Sequence, residues 1–228
     1  MQVLGIVPAR GGSKGLAGKN LLPLGGRPLL AYTADAAKAS RRLSRVVLST
    51  DDEAIARAGS QLGLEVPFMR PAELARDETP MLPVLQHALR ALAPSFVPDA
   101  VVVLQPTSPF RRANHIDDAI DLLETSGADS VVSVVEVPHR FNPVSVMTIE
   151  EGRLKPFTAG EPILRRQDKP RVFARNGPAV LAVRAAVLER GSLYGDDCRP
   201  LMMAEDESID IDTAADLEYA EHVLRRLR

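Results

Sequence analysis

Residues 5–20 read GIVPARGGSKGLAGKN, an apolar run that opens into Gly11, Gly12, Gly15 and Gly18 set among Arg10, Ser13, Lys14 and Lys19. Glycines let backbone N–H groups turn toward an anion with no side chain in the way, and the cations supply the charge that a triphosphate needs. The spacing is not that of the P-loop, in which Lys and Ser or Thr follow the second glycine directly. Nor is it the dinucleotide fingerprint, which does not call for several cations. A flexible loop with solvated charges is the competing reading of any glycine-rich stretch. Cations gathered at the end of a strand favour phosphate binding.

A second group lies near the other end of the chain, where residues 205–213 read EDESIDIDT. In an extended segment residues two apart point the same way, so Asp210 and Asp212 face one side while Ile209 and Ile211 face the core. Two adjacent carboxylates repel unless a cation lies between them, and Mg2+ prefers hard oxygen ligands and commonly takes one or two carboxylates with phosphate oxygens and water. The plainer alternative is that Asp212 or Thr213 caps the helix beginning near Ala214. Capping accounts for one of these residues and leaves the other acid unexplained.

Both groups need a frame that brings them together. Short β-branched runs at Val3–Val7, Arg45–Ser49, Ala100–Leu104 and Ser130–Val135 read as strands buried on both faces. Between them Leu29–Ala39, Asp52–Leu62, Met81–Leu92 and Ile116–Leu123 carry apolar residues at helical spacing. The alternation predicts repeated β-α-β units with right-handed crossovers, hence a doubly wound α/β fold around a mostly parallel sheet. In such a sheet ligands collect beyond the carboxyl ends of the strands, where the glycine-rich loop falls. The rhythm breaks after Glu136: Pro138, Pro143, a Glu151-Gly152 turn, Pro156, Pro162 and Pro170 accumulate around Arg165, Arg166, Lys169 and Arg171. Residues 137–172 therefore read as an insertion in a single domain spanning 1–228, either a surface loop or a hairpin arm that pairs subunits. A strand at Ala179–Val183, an extended Leu201–Met203 and a helix at Ala214–Arg226 resume the core pattern.

Composition narrows the partners. Hydrophobic residues make up 45% of the chain and charged residues 25%, as in an ordinary globular protein. A formal charge of −2 argues against a nucleic-acid partner, whose phosphates demand a broad basic face. Cys198 is the only cysteine, which excludes an intrachain disulfide and suits a reducing cytoplasm. No apolar run of about 18 residues or signal-peptide pattern is present, so neither membrane insertion nor export is expected. His87, His115, His139 and His222 show no ligand or triad spacing.

The order of five segments is recognisable: ARGGSKGLAGKN, LSTDDEAIARAG at 48–59, RPAELARD at 70–77, LQPTSPFR at 104–111 and SIDIDTAADLEYAE at 208–221. The chain resembles the acylneuraminate cytidylyltransferases over nearly its whole length. That resemblance implies a Rossmann-like fold, a homodimer formed through the inserted arm, and transfer of CMP from CTP to a small acidic sugar with release of pyrophosphate. It further implies that Arg10, Ser13 and Lys19 hold the CTP phosphates, that Asn20 and Arg70 read the cytosine, and that Gln105 touches the acceptor. Asp210 and Asp212 match the family's ligands for Mg2+, or Mn2+ in its place. The nucleotide for Arg70 competes with a surface ion pair to Glu73 or Asp77. Sialate members carry a lysine and an arginine where this chain has Ser145 and Ala174, so the expected acceptor is a sialic acid-like or, favoured by these two departures, another keto-deoxy acid, with a different small acid or a sugar phosphate as the alternative. A nucleotide-binding protein without transfer activity is the alternative from a different class.

Overall fold

The computed structural model describes residues 1–12, 15–159, 163 and 165–227. The first half alternates as its hydrophobic pattern requires. Strand β1 (Val3–Pro8) is followed by the short hairpin β2 (Pro23–Leu24) and β3 (Arg27–Pro28), helix α1 (Leu29–Ala39), β4 (Arg45–Ser49) and α2 (Glu53–Gln61). Then come α3 (Met81–Leu92), β5 (Ala100–Val103), α4 (Ala113–Ser126) and β6 (Ser130–Glu136). The second half holds β7 (Met147–Glu150), β8 (Arg153–Pro156), β9 (Phe173–Arg175), β10 (Leu181–Arg184), α5 (Ala185–Glu189), β11 (Cys198–Met202) and α6 (Ala214–Arg226).

The main sheet has the order β11-β6-β10-β5-β1-β4. β1 is parallel to β4 and β5, and β11 is parallel to β6, whereas β10 runs antiparallel to both β5 and β6. This corrects the simple β-α-β expectation, because β5 and β6 are not neighbours; β10 returns between them. β9 is antiparallel to β6 over Val134–Glu136, just past the stretch that β10 covers. The two are one strand interrupted at Asn176–Val180, where an Asn-Gly-Pro sequence lifts the chain off the sheet.

Alternating side chains fill a core on each face of the sheet. Val3, Val7, Leu48, Val102 and Leu104 pack with α1, α2 and α4 on one side, while Leu4, Ile6, Val101, Val103 and Val183 pack with α3 and α5 on the other. The layout is thus doubly wound α/β with a mostly parallel sheet. Among the described residues no helix is long and apolar enough to cross a membrane.

Element limits differ from the sequence pattern where burial is partial. α4 begins at Ala113, one turn before the first apolar residue, because the His115 imidazole accepts the Arg112 backbone N–H at 3.2 Å. β11 spans Cys198–Met202 rather than Leu201–Met203: it is an edge strand whose side chains are largely exposed, so no apolar alternation marks it.

The loop after β5 is fixed from beneath by Arg111, which is 2% exposed. Its guanidinium donates to the Gln105 carbonyl and the Ala179 carbonyl, both at 3.0 Å, and to Thr33 Oγ1 at 2.5 Å. Burial without a carboxylate partner pushes its pKa down to about 9, still charged at neutral pH. One side chain thereby ties the loop 105–111 to α1 and to the start of β10. Arg111→Ala should lower stability by at least about 3 kcal/mol, since three buried acceptors lose their donor at about 1–3 kcal/mol each. Urea unfolding measures this, and a loss below about 1 kcal/mol would show that the acceptors find other donors.

Candidate active site

Beyond the carboxyl ends of β1, β4 and β5 lies a cleft of about 270 Å³ lined by Arg10, Lys19, Asn20, Arg70, Gln105 and Thr107, among others. The glycine-rich loop forms one wall. It crosses the segment that carries the acidic pair: a Cβ added at Gly15 would stand 2.3 Å from the Asp212 carbonyl oxygen, a distance no side chain tolerates. Directly after this glycine, Leu16 packs into a cluster with Leu24, Leu29, Phe110, Ile209 and Ile211. The Lys19 ammonium meets Asp212 Oδ1 at 2.8 Å. Glycine for closeness, leucine for adhesion and lysine for charge therefore join residues nearly two hundred positions apart.

The opposite end of the cleft is built on β4. Arg70 is buried, and its Nε and Nη2 donate to Ser49 Oγ at 3.1 Å and to the Ser49 carbonyl at 2.6 Å. Its pKa is lowered to about 10, chiefly by burial. These bonds replace the surface ion pair to Glu73 or Asp77 that the sequence left open for Arg70. Instead Asp77 pairs with Arg10. The buried Asn20 donates from Nδ2 to the Arg10 carbonyl at 3.0 Å, and Asp51 Oδ1 accepts the Gly11 N–H at 3.0 Å. Asn20 and Arg70 are thus held rigidly by backbone and hydroxyl partners beside Arg10.

Asp210 and Asp212 differ in environment although they share a segment. Asp212 is exposed, whereas Asp210 is half-buried and its Oδ1 is buried with no hydrogen-bond partner among the described residues. Burial pushes the Asp210 carboxyl above its ordinary range, and neighbouring Asp212 adds to the rise. Gly177, at φ 110°, crosses close by, where a Cβ would lie 3.1 Å from Asp210 Oδ2. The Gly177 carbonyl accepts from Gln105 Nε2 at 3.3 Å. The Ser108 hydroxyl is likewise buried and unpartnered among the described residues, while the buried Thr107 hydroxyl lies near enough to Asp210 to offset part of the rise in its pKa. An orphaned carboxylate oxygen beside a second acid is chemistry that a hard cation satisfies.

The capping question resolves in favour of Thr213. Thr213 is the N-cap of α6 and accepts the Asp216 N–H at 3.3 Å, while Asp216 Oδ2 accepts the backbone N–H groups of Asp212 and Thr213 at 3.1 and 2.7 Å. With the cap supplied by Thr213 and Asp216, the Asp212 carboxylate points to Lys19. No group of three or more His, Cys, Asp or Glu side chains suited to a metal occurs among the described residues, so the protein would offer a cation two carboxylates and no complete cage.

Arg10, Lys19, Asn20, Arg70 and Gln105 meet at one cleft, and the Lys19 bond brings Asp212 with them. Ser13 lies outside the described residues, as does Lys14. Asp51, Asp216, Gly177 and Arg111 were not singled out from the sequence, and Asp77 was named only as a partner for Arg70. All but Gly177 stand inside the strings quoted above, but only their contacts reveal that they hold the loops. Arg175, one residue later, does not replace the arginine that this chain lacks at Ala174: its guanidinium lies 4.8 Å over the Tyr194 ring, and successive residues of a strand point to opposite faces.

A family model described as cytidylyltransferase matches residues 4–224. A CMP-N,N'-diacetyllegionaminic acid synthase of Legionella pneumophila is 33% identical over 226 residues, covering 98% of this chain and 97% of that protein. An N-acylneuraminate cytidylyltransferase of Escherichia coli O18:K1:H7 is 30% identical across 96% of this chain, which spans 51% of that longer protein. In fold, the chain is similar to a CMP:2-keto-3-deoxy-manno-octonic acid synthetase solved with CTP, at a TM-score of 0.75 and 18% identity over the full length of both chains.

Because folding raises the Asp210 pKa, the native state holds that proton more tightly than the unfolded chain does. Stability therefore falls as pH climbs from the unfolded carboxylate value, about 3.9, through the raised native one. In metal-free buffer Asp210→Asn should melt higher than wild type at neutral pH, with the difference vanishing below about pH 3.5. Thermal melts across that range test it; equal melting points at neutral pH would mean that the carboxylate is already compensated.

Proposed function

The chain belongs to the cytidylyltransferase family, and from that premise we propose that it transfers CMP from CTP to a hydroxyl of a small keto-deoxy sugar acid, releasing pyrophosphate. The observation that carries this reading is the contact between the cationic loop and the acidic pair, with Lys19 on Asp212 at 2.8 Å. A triphosphate laid along the cleft would meet Arg10 and Lys19 at its phosphates and Asn20 and Arg70 at its base. The acceptor would approach from the side of Gln105.

In-line attack on the α-phosphorus needs alignment and charge stabilisation more than covalent help. Arg10 is held toward Asp77 and Lys19 toward Asp212, so both cations are already oriented over the cleft and would exchange a carboxylate for a phosphate. Asp210 and Asp212 would hold Mg2+, or Mn2+ in its place, supported by the unpartnered Asp210 Oδ1. When bound, such an ion polarises the α-phosphate and lowers the pKa of a nearby hydroxyl. Gln105 and the Thr107 and Ser108 hydroxyls border the acceptor's path and can orient it.

We also take residues 137–172 as an arm that pairs two copies of the chain. Met147 and Ile149 share a face of the β7–β8 hairpin with their partners Pro156 and Leu154, and Ile149 is 76% and Leu154 67% exposed. A two-stranded hairpin is marginal by itself, and an apolar face of this kind needs covering. The exposed Cys198 accords with a reducing cytoplasm.

Pyrophosphate release should be fastest with CTP and should require an acidic sugar; no release with any acceptor would leave only a nucleotide-binding protein, and stronger binding of UTP or GTP would overturn the base assignment. Asp212→Ala should lose at least about a hundredfold in turnover, about 2.7 kcal/mol of transition-state stabilisation, and near-normal turnover in folded protein would refute the metal role. Sedimentation should give a dimer that Ile149→Asp converts to monomer, whereas monomeric wild type at micromolar concentration would dismiss the arm's pairing role.

A further inference from the structure

Residues 205–212 carry five acids, Glu205, Asp206, Glu207, Asp210 and Asp212, and Glu207 is turned to a different purpose from the pair that follows it. It closes the short turn Glu205–Glu207 that leads into the pair. Its side chain, 21% exposed, reaches the first turn of α4, where Arg112 Nη2 donates to Oε1 and His115 Nε2 lies 3.4 Å from Oε2. The carboxylate thus sits at a helix N-terminus, where unsatisfied N–H groups favour negative charge.

His115 is set for this contact by the backbone beside it. Its Nδ1 accepts the Arg112 N–H at 3.2 Å, and burial, with Arg112 adding to it, holds the imidazole below its usual range. A neutral ring whose Nδ1 accepts carries its proton on Nε2, the atom nearest Glu207. The His115 side chain is 7% exposed, so water competes little for that N–H. Arg112 has a largely exposed side chain and fixes little by itself.

The pinned turn is continuous with the acidic pair. Ser208 Oγ donates to the Ala204 carbonyl and accepts from Asn176 Nδ2, both at 2.8 Å. Ile209 packs in one cluster with Phe110, and the Ile211 N–H donates to the Thr107 carbonyl at 2.8 Å. Asp210 lies between these anchors. Thr107, Phe110, Arg112 and His115 all belong to the stretch 105–115, whose loop Arg111 braces from beneath. One short stretch therefore grips the acidic segment on both sides of Asp210, through the Ile211 backbone after it and through the Glu207 side chain before it.

Resting on the transfer reaction above, we propose that Glu207 is a positioning residue: held by His115 and Arg112 at the start of α4, it sets where the Asp210 carboxylate stands. A misplacement of about 1 Å at a reacting centre costs about a hundredfold in rate, so a side chain outside the cleft governs turnover through the carboxylate it aligns.

Two substitutions at His115 separate this latch from the helix cap. His115→Asn keeps an acceptor for the Arg112 N–H but is too short to reach Glu207, whereas His115→Gln carries its amide N–H to the place of Nε2 and gives up the cap. His115→Asn and Glu207→Ala should each lose at least tenfold in kcat, about 1.4 kcal/mol, with the KM for CTP within threefold of wild type. His115→Gln should keep at least about a third of the wild-type kcat, a loss of no more than about 0.7 kcal/mol. A contact that serves only the fold gives the reverse order, with turnover following the melting temperature. Mn2+ titration followed by electron paramagnetic resonance in the presence of CTP reads the latch without turnover, and the apparent Kd should rise at least about fivefold in Glu207→Ala, about 1 kcal/mol. That rise supports the latch even if wild type transfers no CMP, a result that sinks the reaction alone. The proposal is overturned by an unchanged Mn2+ affinity in Glu207→Ala, by an unchanged kcat in that variant where wild type turns over, by His115→Asn outperforming His115→Gln, or by wild type that binds no Mn2+.

Discussion

The site depends on one constraint: the loop after β1 must lie flat on the segment 209–212. Magnitudes show what enforces it. The Lys19–Asp212 pair has an Asp212 side chain that is 69% exposed, and an exposed ion pair contributes about 0–1 kcal/mol. Ile211 is fully buried and Ile209 nearly so, and burying an aliphatic side chain contributes about 1.5–3 kcal/mol. The apolar cluster under the cleft sets the geometry, and the charges on top inherit it. That division leaves Lys19 and Asp212 exchangeable for ligand at little cost to the fold.

Buried cations serve two different ends here. Arg111 satisfies three acceptors and lies wholly inside, so its charge is a structural brace that also adds positive potential behind the loop 105–111. Arg70 is similarly desolvated but lines the cleft, with part of its guanidinium bonded to Ser49. A guanidinium held by neutral partners keeps its charge available to a ligand, which a salt bridge would have quenched. Arg10, paired to Asp77, belongs to the opposite regime, in which a carboxylate occupies the cation until an anion competes.

Interruption of the β9–β10 strand links the nucleotide cleft to β6. Asn176 accepts from Ser133 Oγ and donates to Ser208 Oγ at 2.8 Å, joining the sheet to the segment that leads into the acidic pair. Gly177 then passes Asp210 at a φ of 110° that favours glycine, with a Cβ there crowding the carboxylate at 3.1 Å. A ligand that moved this strap would be felt both at Asp210 and at Ser133 of β6, because Asn176 and Gly177 contact them.

The strands of the first half, the helices α1 and α3 and the final helix are legible in the sequence because their apolar periods are set by burial on one or two faces. The glycine-rich cationic loop and the Asp210–Asp212 pair are legible for a similar reason: local spacing alone fixes which way such side chains can point. Sequence order could not reveal that β10 inserts antiparallel between β5 and β6, since pairing partners are chosen by tertiary contact and a short apolar strand fits either direction. Nor could it separate Asp212 from Thr213 as the cap, assign Arg111 to three distant acceptors, or bring His115 to Glu207. Each of those is a bond between segments that lie far apart along the chain or compete locally for one donor, and only the packed fold decides which of them forms.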